Sequence, residues 1–107
     1  MISLSSHVLD TTTGKPAINM QITLTLPNGN EFEGVTNEDG RCKEFGEAAL
    51  EAGTYCLRFH CKDYLIKTHG ASFYPFVDIH FEITPNSGHY HVPLLISPYG
   101  FSSYRGS

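Results

Sequence analysis

The sequence predicts an all-β fold, a two-sheet antiparallel sandwich of about eight strands with one short helix. Apolar and polar residues alternate with a period of two through most of the 107-residue chain. Short turn sequences rich in Gly, Pro, Asn and Asp separate the alternating stretches. The length suits a single domain, residues 1–107, with one modest core. Hydrophobic residues make up 40% and charged residues 17%, which indicates a globular and not a disordered protein.

Each element follows from its local pattern. Apolar residues alternate with polar ones over 20–26, 55–61 and 76–83, which predicts half-buried antiparallel strands. The sequences TGKP, PNG, EDG, EAG and PNSG supply the turns. The stretch 62–69, ended by Gly70, predicts the helix. The predicted strands cover roughly residues 2–10, 20–27, 31–36, 41–46, 54–61, 76–84, 89–97 and 101–105.

Charge and hydropathy exclude several classes of partner. The net charge is −4 with histidine neutral, and Lys and Arg form no cluster, so we expect no nucleic acid partner. The longest nearly apolar run, 92–96, is too short to span a membrane. The first seven residues lack the basic and apolar regions of a signal peptide, which predicts a cytoplasmic protein. The three cysteines are odd in number and form no C-x-x-C motif, which predicts reduced thiols.

Two polar residues in the first half of the chain stand out by their chemistry. His7 lies on the opposite strand face from its apolar neighbour Val8. Arg41 opens a strand after the turn 38–40, and if it faces outward, Cys42 faces the core, where a thiol is inert. On pattern alone, His7 could equally be a surface histidine without a role. Arg41 could equally be a surface arginine that pairs with an acidic residue of the turn.

His89 and His91 share one face of a predicted strand. Such a pair can bind a metal ion, hold a substrate by hydrogen bonds or simply be solvated. No third ligand has a recognisable spacing, so we predict no metal site. The remaining histidines, His60, His69 and His80, are predicted to lie on the surface.

Three motifs occur in a fixed order along the chain: SSHVLD at 5–10, DGRC at 39–42, and HYHVPLLISPYG at 89–100 followed by YRGS at 104–107. With them, the whole chain resembles the 5-hydroxyisourate hydrolases, the enzymatic branch of the transthyretin-related proteins. The chain departs from the family in having no tryptophan and a divergent region from 28 to 62, and neither touches the matched motifs. The resemblance implies a transthyretin (prealbumin)-like sandwich.

The resemblance also implies an activity, hydrolysis of 5-hydroxyisourate to 2-oxo-4-hydroxy-4-carboxy-5-ureidoimidazoline in urate degradation, without a metal or other cofactor. The small-molecule substrate would bind in a channel of a homotetramer, a dimer of dimers, with Leu95 and Phe101 as candidate interface residues. The implied catalytic residues are His7, Arg41, His91 and Ser107, and the implied substrate-binding residues are His7, Arg41, Tyr104 and Arg105.

Water attack on an acyl carbon needs a base, which the His7 and His91 pair would supply, and the sequence leaves open which histidine carries the proton. Arg41 would hold the substrate and stabilise the oxyanion. Ser107, through its hydroxyl or α-carboxylate, would orient a histidine or the water. The alternative function is a transthyretin-like carrier of a small hydrophobic ligand, although a carrier favours an apolar channel. A structural or adhesive sandwich domain is a further alternative, which would need flanking domains or an export signal.

Overall fold

Residues 2–106, the part of the chain that the computed structural model describes, form nine strands and one helix. The strands are β1 (Ser3–Asp10), β2 (Lys15–Pro16), β3 (Gln21–Thr25), β4 (Glu31–Val35), β5 (Arg41–Cys42), β6 (Gly53–Phe59), β7 (Val77–Ile83), β8 (His89–Ser97) and β9 (Gly100–Ser103). The helix, α1 (Lys62–His69), ends at Gly70, which takes a left-handed φ of 77° and donates its N–H to the carbonyl of Ile66. No helix in this part of the chain is long and apolar enough to cross a membrane.

The strands form two sheets, as predicted. The first has the order β2-β1-β8-β9, with β5 also paired to β1, and the second has the order β4-β3-β6-β7. The pairings between these nine strands are antiparallel except one: β1 and β8 run parallel over the whole length of β1, from Ser3 opposite His89 to Asp10 opposite Ile96. Alternation reports which face of a strand is buried but not its direction, so the sequence could not reveal this parallel pair.

The edge of the first sheet differs in detail from the predicted strands. Lys15–Pro16 pairs with β1, although the sequence marked it as a turn, and β5 is two residues long where 41–46 was predicted. Gly40 explains why β5 lies so close to β1. A Cβ at Gly40 would lie 2.6 Å from the carbonyl oxygen of Val8, and its φ of 73° also favours glycine. This close approach brings Arg41 beside β1.

The core lies between the two sheets and contains apolar side chains from both. Leu4, Val8, Leu94 and Ile96 of the first sheet are buried against side chains of the second, such as Leu57. Because side chains alternate along a strand, the odd-numbered residues of β1 and β8 are directed to the outer face of the first sheet. The core therefore fixes which side chains the outer face presents.

One histidine that was predicted to lie on the surface is mostly buried instead. His69 is mostly buried, and its Nε2 lies 2.7 Å from Oδ2 of the fully buried Asp10. The hydroxyl of Tyr64 donates to the same carboxylate at 2.7 Å, so the helix is attached to the end of β1. The prediction for His69 was wrong because the helical pattern does not show which strand the last turn packs against. His60 and His80 are exposed, as predicted.

Candidate active site

The outer face of the first sheet carries a group of imidazoles, which we call the histidine face. It is formed by His7 on β1 and by His89 and His91 on β8, with Ser3 and Ser5 beside them on β1. The parallel register sets Ser3 opposite His89 and Ser5 opposite His91. Neighbouring residues on both strands, such as Leu4 and Tyr90, are buried on the inner face. The prediction that His7 faces away from the core is therefore confirmed.

Arg41 lies next to His7 on this face because β5 pairs with β1 at that point, with His7 opposite Arg41 and Ser6 opposite Cys42. Arg41 is exposed, and within residues 2–106 it makes no salt bridge, so the alternative of a pair with the turn acids is not formed. Cys42 is buried, and burial raises the pKa of its thiol, which makes it a poor nucleophile. The predicted facing of both residues is confirmed.

His91 lies at the centre of the histidine face. Its Nδ1 is 2.7 Å from the hydroxyl oxygen of Ser5, which leaves its Nε2 as the ring nitrogen available for chemistry. Partial burial lowers the pKa of His91, and the charge of the nearby Arg41 guanidinium lowers it further. His91 is therefore neutral at pH 7, the form in which an imidazole can accept a proton.

The C-terminal segment pairs alongside β8 at His91. The N–H of Gly106 donates to the carbonyl of His91 at 2.7 Å in a single antiparallel bridge. A Cβ at Gly106 would lie 2.5 Å from Cδ2 of the His91 ring, so only glycine fits without moving the imidazole. Sequence reasoning did not assign Gly106 a separate role, although its place in the YRGS motif was the available signal.

The other residues of the YRGS motif do not all reach this face. Continuing the register of β8 and β9 sets Tyr104 opposite Pro93, on the side of His7, and Tyr104 is exposed. Arg105 follows on the opposite side, where its Cζ lies 4.2 Å from the centre of the Tyr90 ring. The structure therefore does not bring the Arg105 guanidinium to the histidine face. Ser107 lies outside the described residues.

The two candidate interface residues lie on opposite faces of the first sheet. Leu95 lies on the same face of β8 as His91, two pairs along, and is half-buried. Phe101 lies opposite the buried Ile96, and its ring packs edge-on against Tyr74 with the ring centres 5.2 Å apart. Only Leu95 extends the histidine face. Phe101 is nevertheless 43% exposed, so its place in an interface stays a prediction.

Three of the four ring nitrogens of His89 and His91 have serine partners, and Nε2 of His91 is the fourth. Nδ1 of His89 lies 2.6 Å from the Ser3 hydroxyl oxygen, and its Nε2 lies 3.0 Å from that of Ser5. Among residues 2–106, no group of three or more His, Cys, Asp or Glu side chains is arranged to hold a metal ion. The pair is built for hydrogen bonding along the sheet.

Comparison with known proteins gives one consistent result. The model of the HIUase/Transthyretin family matches residues 4–106. The chain is 42% identical over 113 aligned positions to a 5-hydroxyisourate hydrolase of Deinococcus radiodurans, covering 97% of this chain and 95% of that protein. Its fold matches the structure of Klebsiella pneumoniae 5-hydroxyisourate hydrolase with a TM-score of 0.88 and 38% identity over all of both chains. It also matches transthyretin from Sparus aurata with a TM-score of 0.86 and 25% identity, covering 97% of this chain and 96% of that one.

Proposed function

The chain belongs to the HIUase/Transthyretin family, and we propose that it hydrolyses 5-hydroxyisourate to 2-oxo-4-hydroxy-4-carboxy-5-ureidoimidazoline in urate degradation, with no cofactor. The observation that carries the proposal is the meeting of His7, Arg41 and His91, from three strands, on one outer sheet face. A base and a cation side by side are what water attack on an acyl carbon requires. The relatives that share this fold and carry the name 5-hydroxyisourate hydrolase support the same reaction.

His91 is the general base in this proposal. Its lowered pKa keeps it neutral at pH 7, and Ser5 occupies its Nδ1, so Nε2 can take a proton from water. The water oxygen then bonds to the acyl carbon, and the electron pair of the carbonyl moves to its oxygen. We choose His91 over His7 because partial burial and the charge of Arg41 favour its neutral form.

Arg41 stabilises the oxyanion that this attack creates. A guanidinium presents paired N–H donors in a fixed plane, which suits a planar heterocycle with neighbouring carbonyl oxygens. Arg41 makes no ion pair within the described residues, so its charge is not already neutralised there. His7, directly opposite Arg41, donates to or accepts from the polar edge of the bound ring.

The C-terminal segment completes the site. Tyr104 forms a wall on the side of His7, and Ser107 orients a histidine or the water. Arg105, predicted to bind substrate, instead holds the segment in place by packing on Tyr90 and by an N–H that donates to the carbonyl of His89 at 3.4 Å. In this proposal Arg105 positions its neighbours, and its contact with the substrate stays a prediction.

A homotetramer, a dimer of dimers, would enclose the site. In a single chain the histidine face is an open sheet surface, whereas hydrolysis benefits from excluding bulk solvent. A second copy packed across this face would turn the surface into a channel, with Leu95 at its rim. The imidazoles, serine hydroxyls and guanidinium make such a channel polar, which disfavours a carrier of hydrophobic ligands. The cytoplasmic location stays a prediction.

A rate assay tests the proposal. Urate oxidase generates 5-hydroxyisourate in situ from urate, and its ultraviolet absorbance is followed with and without the protein. We expect decay well above the spontaneous rate and no effect of EDTA. Decay at the spontaneous rate would contradict the hydrolase and favour the carrier.

A further inference from the structure

The histidine face contains a continuous chain of hydrogen bonds that the reaction above does not use. Ser3 Oγ lies 2.6 Å from Nδ1 of His89, Nε2 of His89 lies 3.0 Å from Ser5 Oγ, and Ser5 Oγ lies 2.7 Å from Nδ1 of His91. The two rings are nearly parallel, at 18°, with centres 6.4 Å apart. Each ring nitrogen of His89 thus has a serine partner, and Ser5 bridges the two imidazoles.

The chemistry of these groups allows the chain only two directions. A serine hydroxyl has one proton to donate, so Ser5 donates to one imidazole and accepts from the other. For Nε2 of His91 to act as a base, its proton must be on Nδ1 and be donated to Ser5. Ser5 then donates to Nε2 of His89, and Nδ1–H of His89 donates to Ser3. The opposite direction puts the proton of His91 on Nε2.

We propose that Ser3, His89 and Ser5 form a proton relay to His91, in which Ser5 and His89 are positioning residues that set its tautomer and take up its proton during the reaction. The inference rests on the proposed function, because the proton that moves comes from the attacking water. Ser5 and His89 need not touch the substrate, since they act through His91.

The relay conserves atoms and charge. His91 Nε2 takes the proton of water, its Nδ1–H proton passes to Ser5 Oγ, and the former Ser5 proton passes to Nε2 of His89. His89 becomes the imidazolium and His91 is neutral with its proton on Nε2. When the intermediate collapses, the ring C–N bond breaks and the leaving nitrogen takes the Nε2 proton of His91. The relay then runs backwards and restores every group.

The surroundings of the two rings explain why His89 holds the positive charge of the transferred proton better than His91 does. Partial burial and the charge of Arg41 on β5 disfavour a cation at His91. His89 is exposed and lies two residues further from the His7–Arg41 pair, about 7 Å along the strand. Water solvates an exposed imidazolium, so transfer to His89 removes positive charge from the more buried ring next to Arg41.

Two variants break the relay in different ways. Ser5→Ala removes the bridge, whereas His89→Gln offers an amide for hydrogen bonding but cannot take up the proton. We expect each to lower kcat by about 10- to 100-fold with KM little changed, as for other residues that orient a functional histidine. Ser5→Thr keeps the hydroxyl and should restore the rate. Ser6→Ala is the matched control, because its hydroxyl is buried on the opposite face and donates to the carbonyl of Val92.

Two readouts separate a relay from a structural role. Nitrogen-15 NMR of the histidine rings should show His91 protonated on Nδ1 in the wild type and Ser5→Thr, with a shift towards Nε2 in Ser5→Ala. The solvent isotope effect, measured in mixtures of light and heavy water, should indicate several moving protons in the wild type and fewer in His89→Gln.

Wild-type kcat and isotope effects in both Ser5→Ala and His89→Gln, with hydrolysis intact, would overturn the relay alone. A wild-type His91 protonated on Nε2 would overturn it as well, and this NMR result does not depend on turnover. Decay at the spontaneous rate with the wild-type protein would instead overturn the proposed function.

Discussion

The two sheets carry similar residues on their outer faces but use them differently. On the second sheet, Arg58 makes two hydrogen bonds to Asp78, at 2.8 and 2.9 Å, and its Cζ lies 3.7 Å from the centre of the Phe76 ring. These bonds hold the pKa of the Asp78 carboxyl below its usual value. On the histidine face, Arg41 has no ion pair within residues 2–106. An arginine with a carboxylate partner supports the sheet, whereas one without it is available to a ligand.

The histidines of the two faces show the same difference. Nε2 of His60 lies 2.8 Å from the Thr23 hydroxyl oxygen, and the Thr23 hydroxyl donates to the Glu33 carboxylate at 3.0 Å. A carboxylate therefore ends that network. Among residues 2–106, the network around His91 contains only serines and imidazoles, and partial burial together with the nearby charge of Arg41 lowers the pKa of His91. A polar cluster in which the described residues supply no carboxylate is suited to bind a negative charge or to stabilise one as it forms.

The largest effect should come from the histidine face, where no carboxylate among residues 2–106 pairs with Arg41. We expect His7→Asn, Arg41→Lys and His91→Asn each to lower the rate of 5-hydroxyisourate hydrolysis by roughly 10²–10⁴-fold, the usual contribution of acid–base groups. Lysine keeps the charge of Arg41 but loses the planar fork. Circular dichroism should show folded proteins, because outward polar residues contribute little to the core.

The matched controls come from the second sheet. Arg58→Lys and His60→Asn repeat the same chemical changes where the side chains have protein partners, and the rate should stay that of the wild type. A comparable loss of rate on both faces would show that the assay reports general damage, and full activity of the His91 and Arg41 variants would refute the site.

Much of this contrast was predictable from the sequence, and the features that were not predictable have physical causes. Alternation placed His7 outward and Cys42 inward because the side-chain period of a strand is two. Pairing partners lie far apart in the chain, so alternation could not show that Ser5 lies opposite His91 or that β1 and β8 run parallel. The need for a glycine at Gly106 could not be predicted, because it depends on the position of the His91 ring.

A smaller effect should follow from one added methyl group near His91. Gly106→Ala brings a Cβ to 2.5 Å from Cδ2 of the imidazole, so the ring or the segment must move. Misplacement of a catalytic group by about 1 Å can cost up to roughly 100-fold in rate, and we expect a loss within that range. Gly88→Ala is the control, because it precedes the same strand and its Cβ would meet no heavy atom within 4 Å. Equal rates for the two variants would remove Gly106 from the site.

The smallest effect on rate is expected at the third polar cluster, where Asp10 is buried beneath the first sheet. Its carboxylate accepts from the N–H groups of Thr12 and Thr13 and lies within hydrogen-bond distance of the Tyr64 hydroxyl and the His69 imidazole. Burial raises the pKa of Asp10, but these bonds together lower it below its usual value. Asp10→Asn replaces one accepting oxygen by an NH₂ group, which leaves one pair of donors without an acceptor.

A lowered pKa in the folded state means that the Asp10 carboxylate stabilises the fold above its ordinary pKa near 4, and that this contribution is lost as the pH falls further. We therefore expect Asp10→Asn to lower the free energy of unfolding at pH 7 by about 1–3 kcal/mol and to leave the rate unchanged. Urea unfolding of both proteins from about pH 7 to pH 3 measures this, and the two stabilities should approach each other below about pH 4. A variant with wild-type stability but a reduced rate would instead connect Asp10 and His69 to the hydrolysis reaction. The contrast between polar clusters that stabilise the fold and polar clusters that act on substrate would then not hold within the first sheet.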